Sequence, residues 1–254
     1  MKRIFKFFLN AVPRPLLIKF SYLVRPVLAL WMRGNRYEDP VDGKRFKSFL
    51  PYGYENPRDN VLAPYTLSLE RHRLLWLYLK KETNFFDAPL KVLHFAPEQA
   101  FYQRFRKLEN LEYVTTDLHS PLADVKADIC DLPFEKDTFD IILCNHVLEH
   151  IPNDTKAMQE LYRVMKTGGW GIFQIPQDLT RDGTFEDNSI TDQKERTKIF
   201  GQYDHVRIYG RDYFDKLRSI GFIVEEVDYT ASLSKEEIDK YRLAKGEIIP
   251  LVRK

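Results

Sequence analysis

Cysteine is almost missing from this chain: Cys130 and Cys144 are the only two in 254 residues. Cys144 ends the apolar run Ile141–Cys144, so a disulfide framework is not expected, and a reducing, cytoplasmic setting is. Acidic residues are missing from Met1–Tyr37, which carries eight Lys or Arg and no Asp or Glu. The formal net charge of +2 is therefore a property of an N-terminal arm, not of the rest of the chain. With no groove of interleaved aromatic and basic residues either, no nucleic-acid partner is expected. Long apolar runs are missing too. Lys19 and Arg25 break the N-terminal apolar stretch, and Pro13 and Pro15 interrupt it early without a small-residue cleavage pattern, so neither a spanning helix nor a secretory leader is expected. Two short amphipathic helices split by prolines fit the arm better. No Ser-His-Asp order, phosphate loop or haem motif occurs.

What the chain does contain is enough apolar residues, 44% of the composition, for one substantial core and a small appendage. Three parts follow from the patterning: a basic apolar arm (1–36), a small irregular module (37–68) and an α/β domain (69–254). In the domain the pattern predicts helices over 69–81, 99–108, 154–165, 210–220 and around 234–243. Strands are predicted over 91–95, 111–116, 139–145, 170–175, 222–229 and 247–252, with 124–128 a short edge or loop. Strands separated by helices imply right-handed crossovers and a mostly parallel sheet with helices on both faces. The final strand has room to insert antiparallel. In such a sheet a ligand sits at the carboxyl ends of the strands, where the strand order reverses.

The residues at those ends are specific. Ala96-Pro97-Glu98 follows the first strand and Asp117 follows the second. Ala127-Asp128-Ile129-Cys130-Asp131-Leu132-Pro133-Phe134 precedes the strand that begins near Phe139, and Asn145-His146-Val147-Leu148-Glu149-His150 follows it. An acid ending the second strand can accept from both hydroxyls of a ribose. Asp128 and Ile129 would then hold an adenine, one by hydrogen bond and one by apolar contact.

This ordered set, continued by Leu161-Tyr162-Arg163-Val164-Met165-Lys166-Thr167-Gly168-Gly169, resembles the class I S-adenosylmethionine-dependent methyltransferases, in their small-molecule branch with a Leu-Pro-Phe loop and a Leu-Glu-His segment. The resemblance covers roughly residues 90 to 254. It implies a Rossmann-like, seven-stranded sheet, bound S-adenosylmethionine, and methyl transfer to a nucleophile. One departure stands out. The first turn of the family usually reads acid-x-Gly-x-Gly-x-Gly, so that helix N-terminal amides approach the amino-acid end of the cofactor. Here His94 replaces the acid, and Ala96, Glu98 and Ala100 replace the glycines, a His-x-Ala-Pro-Glu turn that some members share. Ala96 is small enough to leave the approach nearly open, and Glu98 can accept from the ammonium group of the cofactor. Alternatively, Glu98 only begins a helix, where the dipole favours an acid. The cofactor-binding set implied is His94, Ala96, Glu98, Asp117, Asp128, Ile129 and Asn145.

In the module, Asp39, Asp42, Ala63 and Thr66 stand at the spacing of a four-cysteine zinc ribbon from which every ligand has gone. No metal is expected there, and packing of Phe46, Phe49, Leu50, Tyr52 and Tyr54 must hold it. Two ordinary proline-containing turns explain the spacing equally well. For catalysis, His146 and His205 are candidate bases and Arg207 a candidate carboxylate fork, with His150 a packing or capping residue. The Asp178–Lys198 loop before them is either part of the acceptor site or a solvated insertion. The expected acceptor is a small molecule, lipid or glycan precursor. The rival reading is a non-catalytic cofactor-binding or scaffold protein. The arm either touches the inner face of an anionic membrane or caps an apolar surface of the protein.

Overall fold

The computed structural model describes residues 14–53, 57–120 and 123–254, with side chains from residue 23 onward. Its contacts divide the chain into two units. One comprises Met1–Glu82, Gln99–Phe101 and Thr230–Glu247, and the other Thr83–Glu98, Tyr102–Tyr229 and Ile248–Lys254. Residue 69 is therefore not the division that the contacts draw. The physical reason is Arg73, whose buried guanidinium donates to the carbonyls of Val61, Ser68, Tyr241 and Arg242. Four carbonyls from three segments converge on one cation, and its helix goes with them.

In the N-terminal unit, α1 (Arg14–Trp31) runs through Pro26 as one helix; the other helix expected of the arm falls on residues 1–13, outside the described part. Strand β1 (Arg33–Glu38) pairs antiparallel with β2 (Arg45–Phe46), and β3 (Leu50–Tyr52) with β4 (Arg58–Leu62). Helix α2 (Glu70–Glu82) follows. Phe46, Phe49 and Ala63 bury themselves with Ala29 and Met32, and Leu50 packs against them. Tyr52, by contrast, is exposed, and Tyr54 lies outside the described residues. The two proline-containing turns meet: the hydroxyl of Thr66 donates to the fully buried carboxylate of Asp39, which also accepts from the Val41 amide at 3.1 Å. At two of the four positions where thiolates would have converged, a side-chain hydrogen bond joins the turns.

The second unit carries a Rossmann-like sheet. Its strands are β5 (Leu90–Phe95), β6 (Leu111–Thr116), β7 (Phe139–Leu143), β8 (Met165–Ile172), β11 (Ile223–Val227) and β12 (Ile249–Arg253). They lie in the order β6-β5-β7-β8-β12-β11, with β6, β5, β7 and β8 mutually parallel and β12 inserted antiparallel between β8 and β11. Six strands stand where seven were expected. The missing edge is the 124–128 segment, reduced to a single parallel bridge between Thr116 and Val125. Its ladder is pre-empted because the Asp124 carboxylate takes both the amide and the hydroxyl of Thr115, at 3.0 and 2.7 Å.

The helix expected over 99–108 shrinks to α3 (Tyr102–Phe105). From Lys107 on, amides bond three residues back instead of four, which tightens the chain into turns. Helix α4 (Asp154–Val164) is capped by Asn153, whose side chain accepts from the Lys156 amide. The stretch from Asp178 to Lys198 is not structureless: β9 (Phe185–Glu186) pairs with β10 (Arg207–Ile208), and α5 (Gln193–Phe200) starts at an Asp192 cap. Helix α6 (Tyr213–Ile220) leads into β11.

Burial raises the pKa of Asp39, more than its hydrogen bond from Thr66 and the charge of Arg73 lower it, and the neighbouring Asp42 adds to the rise. A carboxylate with a raised native pKa loses stability as pH climbs from its unfolded value, about 3.9, through that native value. Asp39→Asn keeps an acceptor for Val41 without the charge. The substitution is expected to stabilise the protein at pH 8 relative to wild type, with the gain shrinking toward pH 4, as read by urea denaturation.

Candidate functional site

The sheet order reverses at β5, which has β6 on one side and β7 on the other. Right-handed crossovers from that point go to opposite faces, opening a crevice at the carboxyl ends of β5 and β7. Glu98 bridges this opening. One of its carboxylate oxygens meets Nε2 of the fully buried His94, near the end of β5, and the other accepts from Nδ2 of Asn145, just past β7, at 3.3 Å. Burial, and then the charge of Glu98, hold the Tyr113 hydroxyl far above the usual phenol range. It therefore stays protonated and donates to Nδ1 of His94 at 2.7 Å. Since a carboxylate only accepts, His94 carries its proton on Nε2 and passes it toward Glu98. Asn145 is fixed in turn, its Oδ1 accepting from the Gln174 amide at 3.2 Å. Glu98 does both things expected of it: its carbonyl accepts from the Tyr102 amide at 2.9 Å at the start of α3, while its side chain turns back to the strands.

Ala96 adopts φ +44° and His146 φ +55°. Left-handed backbone at a non-glycine residue costs about 1–2 kcal/mol, so both strand ends are held under strain by their surroundings. The Ala96 amide donates to the Thr116 carbonyl at 2.9 Å and that of His146 to the Gln174 carbonyl at 2.7 Å. Ala96 thus takes the conformation for which a glycine would be the easy choice, with only a methyl group standing over the turn.

At the end of β6, Oδ1 of Asp117 accepts from the amides of His119 and Ser120, at 2.7 and 2.6 Å. That oxygen stiffens the turn. Asp128 is exposed and accepts from the Cys130 amide at 2.8 Å. Ile129 is different from what was expected: its side chain belongs to the apolar core with Leu93 and Phe95, so it offers no open face to an adenine. Among the described residues, two buried polar atoms lack partners at the ends of β6 and β8, Oγ1 of Thr116 and Nε2 of Gln174. A polar ligand over the turn would satisfy them. These unpaired groups, together with the small Ala96 and the Glu98 carboxylate, fit the ribose and amino-acid ends of S-adenosylmethionine.

Beyond β7 the chain makes a short turn, Leu148–His150. Nδ1 of the half-buried His146 lies 3.3 Å from Oε1 of Glu149. The rings of His150 and His205 meet edge to face at 4.7 Å. Burial lowers the pKa of His205, more than the charge of Glu149 raises it, so His205 is neutral at physiological pH. Arg207 does not face an acceptor, which corrects its expected role. Its guanidinium is 1% exposed and donates to the carbonyls of Leu148, Ile151 and Pro152 and to the Glu186 carboxylate. Four of its N–H donors are hydrogen-bonded, and it acts as a staple on the turn that carries Glu149 and His150. Sequence reasoning missed Glu149 itself. The signal was present, an acid between two histidines in His146-x-x-Glu149-His150.

Comparison with known proteins agrees with this geometry. The family described as Methyltransferase domain (Methyltransf_11) matches residues 85–173, and that segment is similar to the class I S-adenosylmethionine-dependent methyltransferases. Among curated proteins, the chain is 30% identical over 118 residues to an uncharacterized protein of Methanocaldococcus jannaschii, covering 46% of this chain and 54% of that one. It is 33% identical over 120 residues to a sterol 4-C-methyltransferase of Caenorhabditis elegans, covering 47% of this chain and 32% of that one. The chain thus spans only about a third to a half of these relatives' length. A solved S-adenosylmethionine-dependent methyltransferase from Archaeoglobus fulgidus aligns over 71% of this chain and 93% of its own, with 15% identity and a TM-score of 0.46.

Arg207→Lys tests the staple. An ammonium has three donors and no planar fork for the four acceptors, so at least one loses its partner, and stability should fall by about 1–3 kcal/mol. Chemical denaturation reads this directly; unchanged stability would return Arg207 to the list of ligand-binding groups.

Proposed function

We propose that this protein transfers the methyl group of S-adenosylmethionine to a small-molecule acceptor, such as a lipid or glycan precursor. The observation that carries the reading is Glu98, held between His94 and Asn145 at the point where the strand order reverses. When bound, S-adenosylmethionine supplies an electrophilic methyl group on a sulfonium. The residues of the chain do the rest. Glu98 accepts from the ammonium end, Asp117 from the ribose hydroxyls, and Asp128 stays at the adenine side. The strained turn at Ala96 brings backbone close to the ligand. His146, next to Asn145 and half-exposed, is the group placed to take a proton from a hydroxyl or ammonium acceptor.

Glu98→Gln keeps the shape but removes the charge, and it should weaken S-adenosylmethionine binding by about 1–3 kcal/mol in a calorimeter. Methyl transfer from labelled cofactor to a lipid or metabolite extract is the companion assay. Binding without any transfer favours the rival reading of a cofactor-binding scaffold. No binding at all would end the methyltransferase proposal.

A membrane surface is the proposed setting for the N-terminal unit. Leu23, Val27, Leu30 and Trp31 recur at the spacing of one helical face, and each is at least 67% exposed. Exposed Arg33, Arg36 and Lys47 flank the stripe, with the Lys47 ammonium 4.8 Å from the Trp31 ring. Among the described residues no helix is long and apolar enough to cross a membrane, so the stripe would lie in the interface. Full-length protein should float with anionic liposomes and much less with neutral ones, and Leu23→Glu with Val27→Glu should abolish flotation. Equal recovery with both lipids, or no effect of the substitutions, counts against a membrane role.

A further inference from the structure

The geometry points to a divalent-metal site formed by Glu149, His150 and His205, binding a first-row transition ion such as zinc with a coordination position left open for an acceptor oxygen. The role of the open position rests on the methyl-transfer reading; the metal site itself does not. A carboxylate oxygen of Glu149 and one ring nitrogen of each histidine lie within 4.8 Å of one another. Two histidines and one carboxylate with an open fourth position is a ligand set that zinc and related ions take.

The ring nitrogens are already sorted for ligation. Nδ1 of His205 lies 3.2 Å from the Phe200 carbonyl, and Nδ1 of His150 lies 3.3 Å from the Asp204 carbonyl and 3.5 Å from its carboxylate. Carbonyl oxygens only accept, so both histidines carry their proton on Nδ1 and leave Nε2 as a lone pair. Metal-ligating histidines are oriented by this kind of partner. Nε2 of His150 is 4.0 Å from Oε1 of Glu149.

Glu149 is the independent observation. It is 1% exposed, and among the described residues neither of its oxygens has a hydrogen-bond partner. A buried carboxylate left this way is costly unless a cation satisfies it. Its main chain is fixed, with the Val206 amide donating to the Glu149 carbonyl at 3.0 Å. The neighbouring staple from Arg207 holds the rest of the turn, so the three side chains come from two segments tied to each other. At ligand distances of about 2.0–2.2 Å, tetrahedral donors sit about 3.5 Å apart, so these would draw in by roughly 1 Å on binding. His146, whose Nδ1 lies 3.3 Å from Oε1 of Glu149, stays outside the ligand set, which keeps the fourth position open.

The test uses tag-free full-length protein stripped with a chelator, without S-adenosylmethionine. Zinc is titrated in a calorimeter and cobalt(II) by visible absorption, whose intensity reports a low-coordinate site. One ion per chain is expected. Glu149→Gln, His205→Gln and His150→Ala should each weaken binding about 100-fold or more, at least the effect of losing an outer-shell partner. His150 is half-exposed, so its variant remains informative if the buried ones unfold, and thermal melts identify those. No saturable binding by the native chain overturns the site, as does full affinity in both Glu149→Gln and His150→Ala. S-adenosylmethionine affinity is measured separately on the same preparations. A chain that binds the metal but not the cofactor keeps the site and overturns the methyl-transfer reading.

Discussion

The arrangement turns on one carboxylate at the point where the strand order reverses. Glu98 cannot reach His94 and Asn145 together unless β5 and β7 are neighbours in parallel register, and that pairing is set by apolar side chains of Val92, Leu93, Ile141 and Ile142. The sheet therefore creates the charge cluster, and the cluster in turn fixes the two strand ends. Tyr113 extends the chain of hydrogen bonds onto β6, so three adjacent strands share a single polar network beneath the ligand crevice. Such networks are rigid when every member is satisfied. What is left unsatisfied, the Thr116 hydroxyl and the Gln174 amide, lies at the edges of the same network.

Strain and polarity coincide there. Ala96 and His146 occupy left-handed backbone at the ends of β5 and β7, and each is flanked by a residue of the Glu98 network. Strained conformations persist only where neighbours over-determine them. Here the carbonyls of Thr116 and Gln174 do so by accepting from the strained amides. The turn thus reaches the shape of a glycine-rich loop by imposing it on alanine.

Much of this was legible in the sequence, and the failures have physical causes. Short apolar runs revealed each strand of the sheet, since burial on both faces of the central strands leaves a continuous signal, although β8 begins at Met165, five residues before the expected start. The strand-end residues His94, Glu98 and Asn145 were legible because topology alone puts them together. The 99–108 helix was overcalled, since apolar spacing at Phe101 and Phe105 does not reveal that later amides bond three residues back. Arg207 was misjudged because a sequence does not count donors: a fork that looks ready for a ligand is already filled by Leu148, Ile151, Pro152 and Glu186. Ile129 fails in a related way, since nothing local marks an apolar residue as core, whereas Glu149 had a local mark in the histidines on either side of it.

The chain between β8 and β10 is pinned at its base. Asp178 donates its amide to Tyr209, the Gln177 side chain donates to the Gly210 carbonyl, and Val206 donates to Glu149. Everything between these fastenings, including β9 and α5, is an excursion whose two feet stay put. Closure entropy grows only slowly with loop length. The excursion can therefore lengthen, shorten or change composition while His205 at its foot keeps its place, giving the fold a replaceable segment on a fixed base.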